Sequence, residues 1–429
     1  MSPLLALEPH NNLLFLSFVM KYMPHASQPG SQLFTPQSLH SSHRLLCHLA
    51  SPSTHQESAS MHKALFFLRD TCPDDTRALE KISVGHPFEV ACLLATQFKP
   101  ETQAIVSALL HEMIVEKQVP LATIQREFGD GVSTIVAGVT QLVRAAYLGQ
   151  ACLLVRLKEV LSRPTFSHIH ILLVSIADCL ENLYRINSFS SNEQQRWSDL
   201  AEYVYAPLAG RLGMYHIQSE LEDLYLKFRK RTTYDKIAKH IQATRSTTEG
   251  FLSSFIAPIH LALRQQGVVH TIQARTKSVS SIYRKIRKRH ASLAAMHDLY
   301  AIRIVFDSRL HSEYTTCWLV HELVSTLYTT LPNKFRNWLD YPKASGYEAL
   351  HLTVMAQAGQ VIEVQIRSKR MDAVAEEGTA AHWKYKELAI AKEFAKIDGL
   401  WLSNAKQFLR TPSMDRTIYI RTDSAYIKR

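Results

Sequence analysis

Gly346-Tyr347-Glu348-Ala349-Leu350-His351, followed by Val361-Ile362-Glu363-Val364-Gln365-Ile366-Arg367, puts a ring, an imidazole and a carboxylate on two short apolar segments. A ring can stack on a base, and a carboxylate can hold a metal. Cations on both sides can take phosphates. Read as a strand, the second segment turns Glu363, Gln365 and Arg367 to one face and Val364 and Ile366 to the other. Such a polar row is either a solvated sheet face or the floor of a site.

The surrounding charges favour a site. Arg275, Lys277, Arg284 and Lys285 precede Asp298, and Arg303 follows it. Lys334, Arg336 and Lys343 precede Tyr347. Mg²⁺ on nucleotide phosphates is held by one or two protein carboxylates. Transfer of phosphoryl-type groups rests on positioning and charge neutralisation. Asp298 and Glu363 among these cations suit that chemistry. Arg287, Lys288 and Arg289 suit a solvated or RNA-touching helix face equally well.

A second constellation lies earlier. His86, the pair His111-Glu112, and Asp178 sit on separate apolar segments of helical period. Imidazoles and carboxylates from different helices can converge on a transition metal. Taken singly, each is more often a satisfied core or surface residue.

The elements that must position these groups fall into two textures. Residues 1–60 are rich in Ser, His, Pro and Gln without a sustained period, and read as a disordered leader. From 61 to 230 the pattern is helical, with segments at 86–98, 102–115, 121–128, 132–145, 166–188, 193–212 and 217–230. Pro120 and Gly129 punctuate it. From 231 to 395 helices at 250–266, 279–289, 315–327 and 371–387 alternate with strands at 268–273, 299–306, 351–356 and 360–367. The last two strands read as a hairpin through Gly359. An all-α domain followed by an α+β domain is expected.

The 429 residues carry a net charge of +11, which suggests a polyanionic partner. Six scattered cysteines without a C-x-x-C pair read as reduced thiols of a cytosolic protein. No uninterrupted apolar run reaches the ~18 residues that span a bilayer, so no membrane partner is expected.

Several of these motifs together resemble the RelA/SpoT alarmone synthetase–hydrolase family. Arg275-Thr-Lys277-Ser-Val-Ser-Ser281-Ile-Tyr-Arg-Lys285 looks like its G-R-x-K-x-x-x-S-I-x-x-K segment, with Ala274 for the glycine. Asp298-Leu-Tyr-Ala-Ile-Arg303 looks like D-L-x-A-x-R, and Pro342-Lys343-Ala-Ser-Gly-Tyr347-Glu-Ala-Leu-His351 like P-K-x-N-G-Y-Q-S-L-H. Glu363-Val-Gln-Ile-Arg367 matches outright, as does Ala380-Ala-His382-Trp383 downstream.

The resemblance implies an HD-type all-α domain at 61–230 and a nucleotidyltransferase-like α+β synthetase domain at 231–395 with a mixed, largely antiparallel sheet. It implies transfer of pyrophosphate from ATP to the 3′-hydroxyl of GDP or GTP, making ppGpp or pppGpp. Asp298 and Glu363 would serve Mg²⁺, with Glu363 also assisting the 3′-hydroxyl. Arg275, Lys277, Ser281, Lys285 and Arg303 would hold ATP. Arg336, Lys343, Ser345, Tyr347, His351 and Gln365 would hold the guanine nucleotide, with Tyr347 stacked on the base. The basic Lys334-Phe-Arg336-Asn337 element belongs to the two-activity type, with Asn at its end. Cytoplasmic action goes with these substrates.

The departures concern both domains. Ser345 stands for an Asn and Glu348 for a Gln, which predicts weaker or altered guanine-nucleotide binding. The family's Mn²⁺ site maps to His86, His111, Glu112 and Asp178, with Glu112 replacing an Asp. The added methylene moves the carboxylate by about 1.5 Å. Val115-Glu116 stands where the family has Glu-Asp, so (p)ppGpp hydrolysis is expected to be weak or lost. Residues 396–429 read as a tail, with 417–429 near where a TGS domain would begin, and ribosome coupling through this chain alone is not expected. The competing readings are a Mn²⁺-dependent (p)ppGpp hydrolase and a catalytically weak guanine-nucleotide-binding regulator.

Overall fold

The structure, a computed structural model, describes residues 44, 46–51, 54–71, 85–98, 100–148, 150–162, 166–243, 245–289, 300–343, 346–356, 359–377, 420–422 and 425–427. Asp298, Ser345, residues 1–43 of the expected 1–60 leader and the motif around His382 lie outside the described residues, while the last part of that leader is helical and not disordered, over 46–50 and from His55, with Leu46 fully buried. Packing divides the described residues into two compact units, one holding those up to Phe189 and the other those from Ser190 to Glu377. The break therefore falls before residue 230, where the composition changes.

In the helical unit, α1 (His55–Thr71) turns Met61, Ala64, Leu65 and Leu68 inward at three- and four-residue spacing. Helix α2 (Gly85–Leu93) runs into a wider π-helical turn over Leu94–Phe98. Helix α3 (Thr102–Leu110) is buried almost all round, from Ala104 to Leu110. Helix α4 (Leu121–Leu148) breaks at Gly129, where φ is 84° and ψ 174°. This backbone region is essentially reserved for glycine. Among the described helices α4 alone is long and apolar enough to cross a membrane, yet it turns Ile135, Val136, Val139 and Leu142 into the core. Helices α5 (Gln150–Ser162) and α6 (Phe166–Tyr184) complete the bundle. His86, His111 and Asp178 are themselves buried on or beside α2, α3 and α6. Polar groups so placed must be paired.

The second unit starts with a capping box, in which Ser190 and Glu193 satisfy each other's backbone amides at the head of α7 (Ser191–Leu200). A π-helical stretch, Ala201–Tyr205, joins it to α8 (Ala206–Arg211). Helices α9 (Tyr215–Arg229), α10 (Arg231–Ala243) and α11 (Arg245–Gln265) follow. Strand β1 (His270–Thr276), α12 (Val279–Arg289), β2 (Tyr300–Phe306) and α13 (Glu313–Leu327) come next. They lead to β3 (Thr329–Thr330), β4 (Arg336–Asn337), β5 (Leu350–Met355), β6 (Val361–Ser368) and α14 (Lys369–Glu377). Leu226 of α9 and Ile237 of α10 pack on Val279 and Ile282 of α12. That contact is why α9 belongs with the sheet.

The sheet order is β1-β2-β6-β5-β3, with β4 also beside β5. Among the described strands only β2 and β6 pair in parallel, so the sheet is mixed and mainly antiparallel. Alternation decides its two faces. Ile302, Ile304, Leu352, Val354, Ile362, Val364 and Ile366 pack with Phe255, Ile259 and Leu263 of α11 and Val320 and Val324 of α13. Full burial of each such side chain contributes roughly 1.5–3 kcal/mol. Arg303, His351, Glu363, Gln365 and Arg367 alternate with them, and the register sets Arg303 opposite Gln365 and His351 opposite Gln365. A short antiparallel pair, β7 (Ile420–Thr422) and β8 (Ala425–Ile427), lies in the 417–429 segment.

Candidate functional site

Glu363 is the centre of the polar sheet face. Gln365 Nε2 donates to Glu363 Oε1 at 3.1 Å, and Lys277 Nζ lies 3.4 Å from Oε2. His351 Nδ1 is 3.3 Å from Oε1 without hydrogen-bond alignment, so charge–dipole attraction carries that contact. His351, against the opposing effect of burial, and then Lys277 and Gln365 hold the Glu363 carboxyl well below the usual carboxylate range. A carboxylate so stabilised is a good cation ligand and a poor proton acceptor.

The network continues to Tyr347. Arg367 donates to the Tyr347 hydroxyl, which lies 2.7 Å from His351 Nε2. With Arg367 donating in, the hydroxyl proton points to His351 Nε2, and the ring proton sits on Nδ1 facing Glu363. Burial pushes the His351 pKa down and the Tyr347 pKa up, so both are neutral near pH 7. Arg367 also donates to Gln365 Oε1 at 3.0 Å and to Asp372 Oδ1 at 3.2 Å.

The structure thus brings together Lys277, Lys343, Tyr347, His351, Glu363 and Gln365. Lys343 Nζ lies 4.5 Å from the Tyr347 ring centre. Tyr347 is only 5% exposed, so the expected base platform is covered in this conformation. Arg303 is buried and bound to Asp372 at 3.2 Å and Glu376 at 2.7 Å. It braces α14 against the sheet in this state, where a role at ATP was expected. Ser281 is held by Ser278 in the first turn of α12, Lys285 is half-buried on that helix, and Arg336 is exposed on β4. The backbone of Arg275 pairs with Ala301.

The helical unit holds the second cluster. Single donor atoms of His86, His111 and Glu112 all lie within 4.8 Å of one another. His86 Nε2 is 3.0 Å from Asp178 Oδ1 and 3.6 Å from Glu112 Oε1, and His111 Nε2 is 3.8 Å from Asp178 Oδ1. The remote ring nitrogens are fixed from outside: His86 Nδ1 by Glu181, and His111 Nδ1 by the Ala108 carbonyl at 2.6 Å. That arrangement aims both Nε2 atoms inward, as in carboxylate–histidine–metal sites. The donor set fits a divalent transition metal despite Glu112.

Electrostatics agree with this fit. Burial works against charge on His86, but Glu181, Asp178 and Glu112 together raise its pKa to about 10. Three carboxylates so close to one imidazole favour positive charge at this point. Asp178 is held below its ordinary value in spite of burial by His86, His111 and Arg185. Asn182 Nδ2 donates to Asp178 Oδ1 at 2.7 Å.

Sequence reasoning missed Glu181 and Glu89. Glu181 is bound by Arg185 at 2.9 Å, and burial plus its hydrogen bond with Glu181 raises Glu89 to about 8. The available signal was helical spacing: each acid lies three residues after a proposed ligand, His86 or Asp178.

Residues 274–389 match the region found in RelA/SpoT proteins, and residues 64–215 match an HD domain. A guanosine-3′,5′-bis(diphosphate) 3′-pyrophosphohydrolase of Aquifex aeolicus (strain VF5) is 29% identical over 77% of this chain and 47% of its own length. The bifunctional (p)ppGpp synthase/hydrolase SpoT of Escherichia coli (strain K12) is 28% identical over 79% and 47%. A GTP pyrophosphokinase of Myxococcus xanthus is 31% identical over 80% and 46%. The chain spans about half the length of these relatives. It joins an HD domain to the region found in RelA/SpoT proteins, and it belongs to the RelA/SpoT family.

Proposed function

We propose that this chain is a GTP/GDP pyrophosphokinase, moving the β,γ-pyrophosphate of ATP to the 3′-hydroxyl of GDP or GTP. The observation that carries this reading is the Glu363 carboxylate, ringed by Lys277, His351 and Gln365 inside the region matched to RelA/SpoT proteins. Glu363 and Asp298 are the residues that would hold Mg²⁺, which when bound neutralises phosphate charge. Lys277, released from Glu363, would take ATP phosphates together with Arg275. The low pKa of Glu363 favours metal holding over proton abstraction at the 3′-hydroxyl. Lys343 and Tyr347 would take the acceptor nucleotide. A cytoplasmic site of action goes with these substrates.

Purified chain with ATP, Mg²⁺ and GDP or GTP should release AMP and form ppGpp or pppGpp. No AMP and no alarmone beside an active control would sink the proposal.

A second reading rests on the convergence of His86, His111 and Glu112. These residues would bind Mn²⁺, and Val115, where the family has an acid, would leave (p)ppGpp hydrolysis slow. Calorimetry should show Mn²⁺ binding that His111→Ala removes, with little chelator-sensitive pyrophosphate release from ppGpp. Brisk release would overturn the slow-hydrolase part.

A further inference from the structure

Resting on the reading that this sheet takes a guanine nucleotide, we propose that Tyr215 is a positioning residue for that site. It completes an aromatic cage around Lys343 that closes over Tyr347, and the nucleotide must draw Lys343 out before its base can stack.

Three rings surround the Lys343 ammonium. Its Nζ lies 4.5 Å from the centre of Tyr347, 4.9 Å from Tyr215 and 5.1 Å from Trp338. Tyr215 opens α9, Trp338 follows β4 and Tyr347 precedes β5, so the cage joins segments distant in sequence. Tyr215 meets Tyr347 edge to face at 6.2 Å, and both pack with Trp338, Ala349 and Ala375. Arg367 lies against Tyr347 as well, 4.7 Å from the ring centre. The ring that should receive a base is thus occupied by protein cations.

The same geometry makes Lys343 exchangeable. Its neighbours are like-charged: burial, Arg336 and Arg367 all push its pKa below the ordinary lysine value, and only Glu363 opposes them. The chain beside it turns tightly, with the Gly346 amide donating to the Lys343 carbonyl at 2.8 Å and Gly346 at a φ of 71°. A guanine nucleotide offers both replacements at once, phosphate oxygens for the ammonium and a purine for the ring. Cage strength therefore competes with nucleotide binding. Tyr215 strengthens the cage from a helix outside the sheet.

The test compares Tyr215→Leu, which removes a wall, with Tyr215→Phe, which keeps the ring. GDP affinity is measured by calorimetry, and the KM values for GDP and ATP by initial rates. Tyr215→Leu should bind GDP about three- to tenfold more tightly, the size of one cation–ring contact. The shift should fall on the KM for GDP and not on that for ATP, and Tyr215→Phe should restore wild-type values. Trp338→Leu, which takes away another wall, should move GDP the same way and serves if Tyr215→Leu fails to fold. Unchanged or weaker GDP binding in folded variants, with GDP binding intact in the wild type, overturns the cage alone. No GDP binding by any form overturns the guanine-site reading and the cage with it.

Discussion

Lys277 Nζ lies 3.4 Å from Glu363 Oε2, an ammonium in the loop after β1 held against a carboxylate in the middle of β6. Both side chains are largely buried, so the pair resists salt screening. The lysine is a cation that balances the charge of Glu363. Glu363→Gln keeps the shape and removes the charge. Alarmone synthesis should fall by about 10²–10³-fold or more, as for loss of a preorganised electrostatic group. Lys277→Met should instead raise the KM for ATP more than that for GDP. A Glu363→Gln enzyme with normal turnover would remove Glu363 from the reaction.

Asp372 is the brace behind this site. Its Oδ1 is 3.2 Å from both Arg303 NH1 and Arg367 NH1, and both arginines are buried. Removing one partner of a buried ionic group leaves charge uncompensated. Asp372→Asn should therefore lower stability by about 3–5 kcal/mol in urea titration. Arg367 also donates to Tyr347, so GDP binding should change in the same variant. A wild-type urea midpoint would show that Glu376 and Gln365 suffice to hold the two arginines.

The sheet and its polar face were legible because period-two alternation is local: Glu363, Gln365 and Arg367 fall together by counting. The motifs also named residues that come within reach of Glu363, including Lys277 and His351. Arg303 was legible as a basic residue on the strand, but its partners were not. Asp372 and Glu376 arrive through α14, and nothing local in the sequence reports that approach. The coverage of Tyr347 was hidden for the same reason, since Tyr215 lies more than a hundred residues away. The unit boundary was displaced because α9 is helical like the bundle before it, while its apolar face fits α12.

His170 gives the helical unit an acid-sensitive element. Burial in α6 pushes its pKa down to about 4, against an unfolded value of about 6.5. The unfolded chain binds a proton more readily than the folded one between those values. The stability from a neutral His170 is thus fully present above about pH 6.5 and is lost as pH falls toward about 4. The loss is roughly 3 kcal/mol at most. His170→Gln should flatten this part of the stability curve relative to wild type. Parallel curves for the two proteins between pH 6.5 and 4 would contradict the burial argument.

Two glycines predict opposite signs for the same substitution. At Gly129 no atom lies within 4 Å of an added Cβ, so space is not the issue. Its φ of 84° with ψ of 174° is the issue, because an L side chain is strained there by about 1–3 kcal/mol. Gly129→Ala should lower stability by that amount, or force α4 to straighten and pull Ile124 or Val132 from the core. Gly250 also has open space, but it sits inside α11 with ordinary helical backbone. There the added methyl removes unfolded-state freedom without strain, and Gly250→Ala should stabilise by about 0.5–1 kcal/mol. Thermal unfolding of the full chain with each variant measures both signs. A neutral Gly129→Ala would mean that the break at Gly129 is not held by the fold, and that α4 accommodates a continuous helix at little cost.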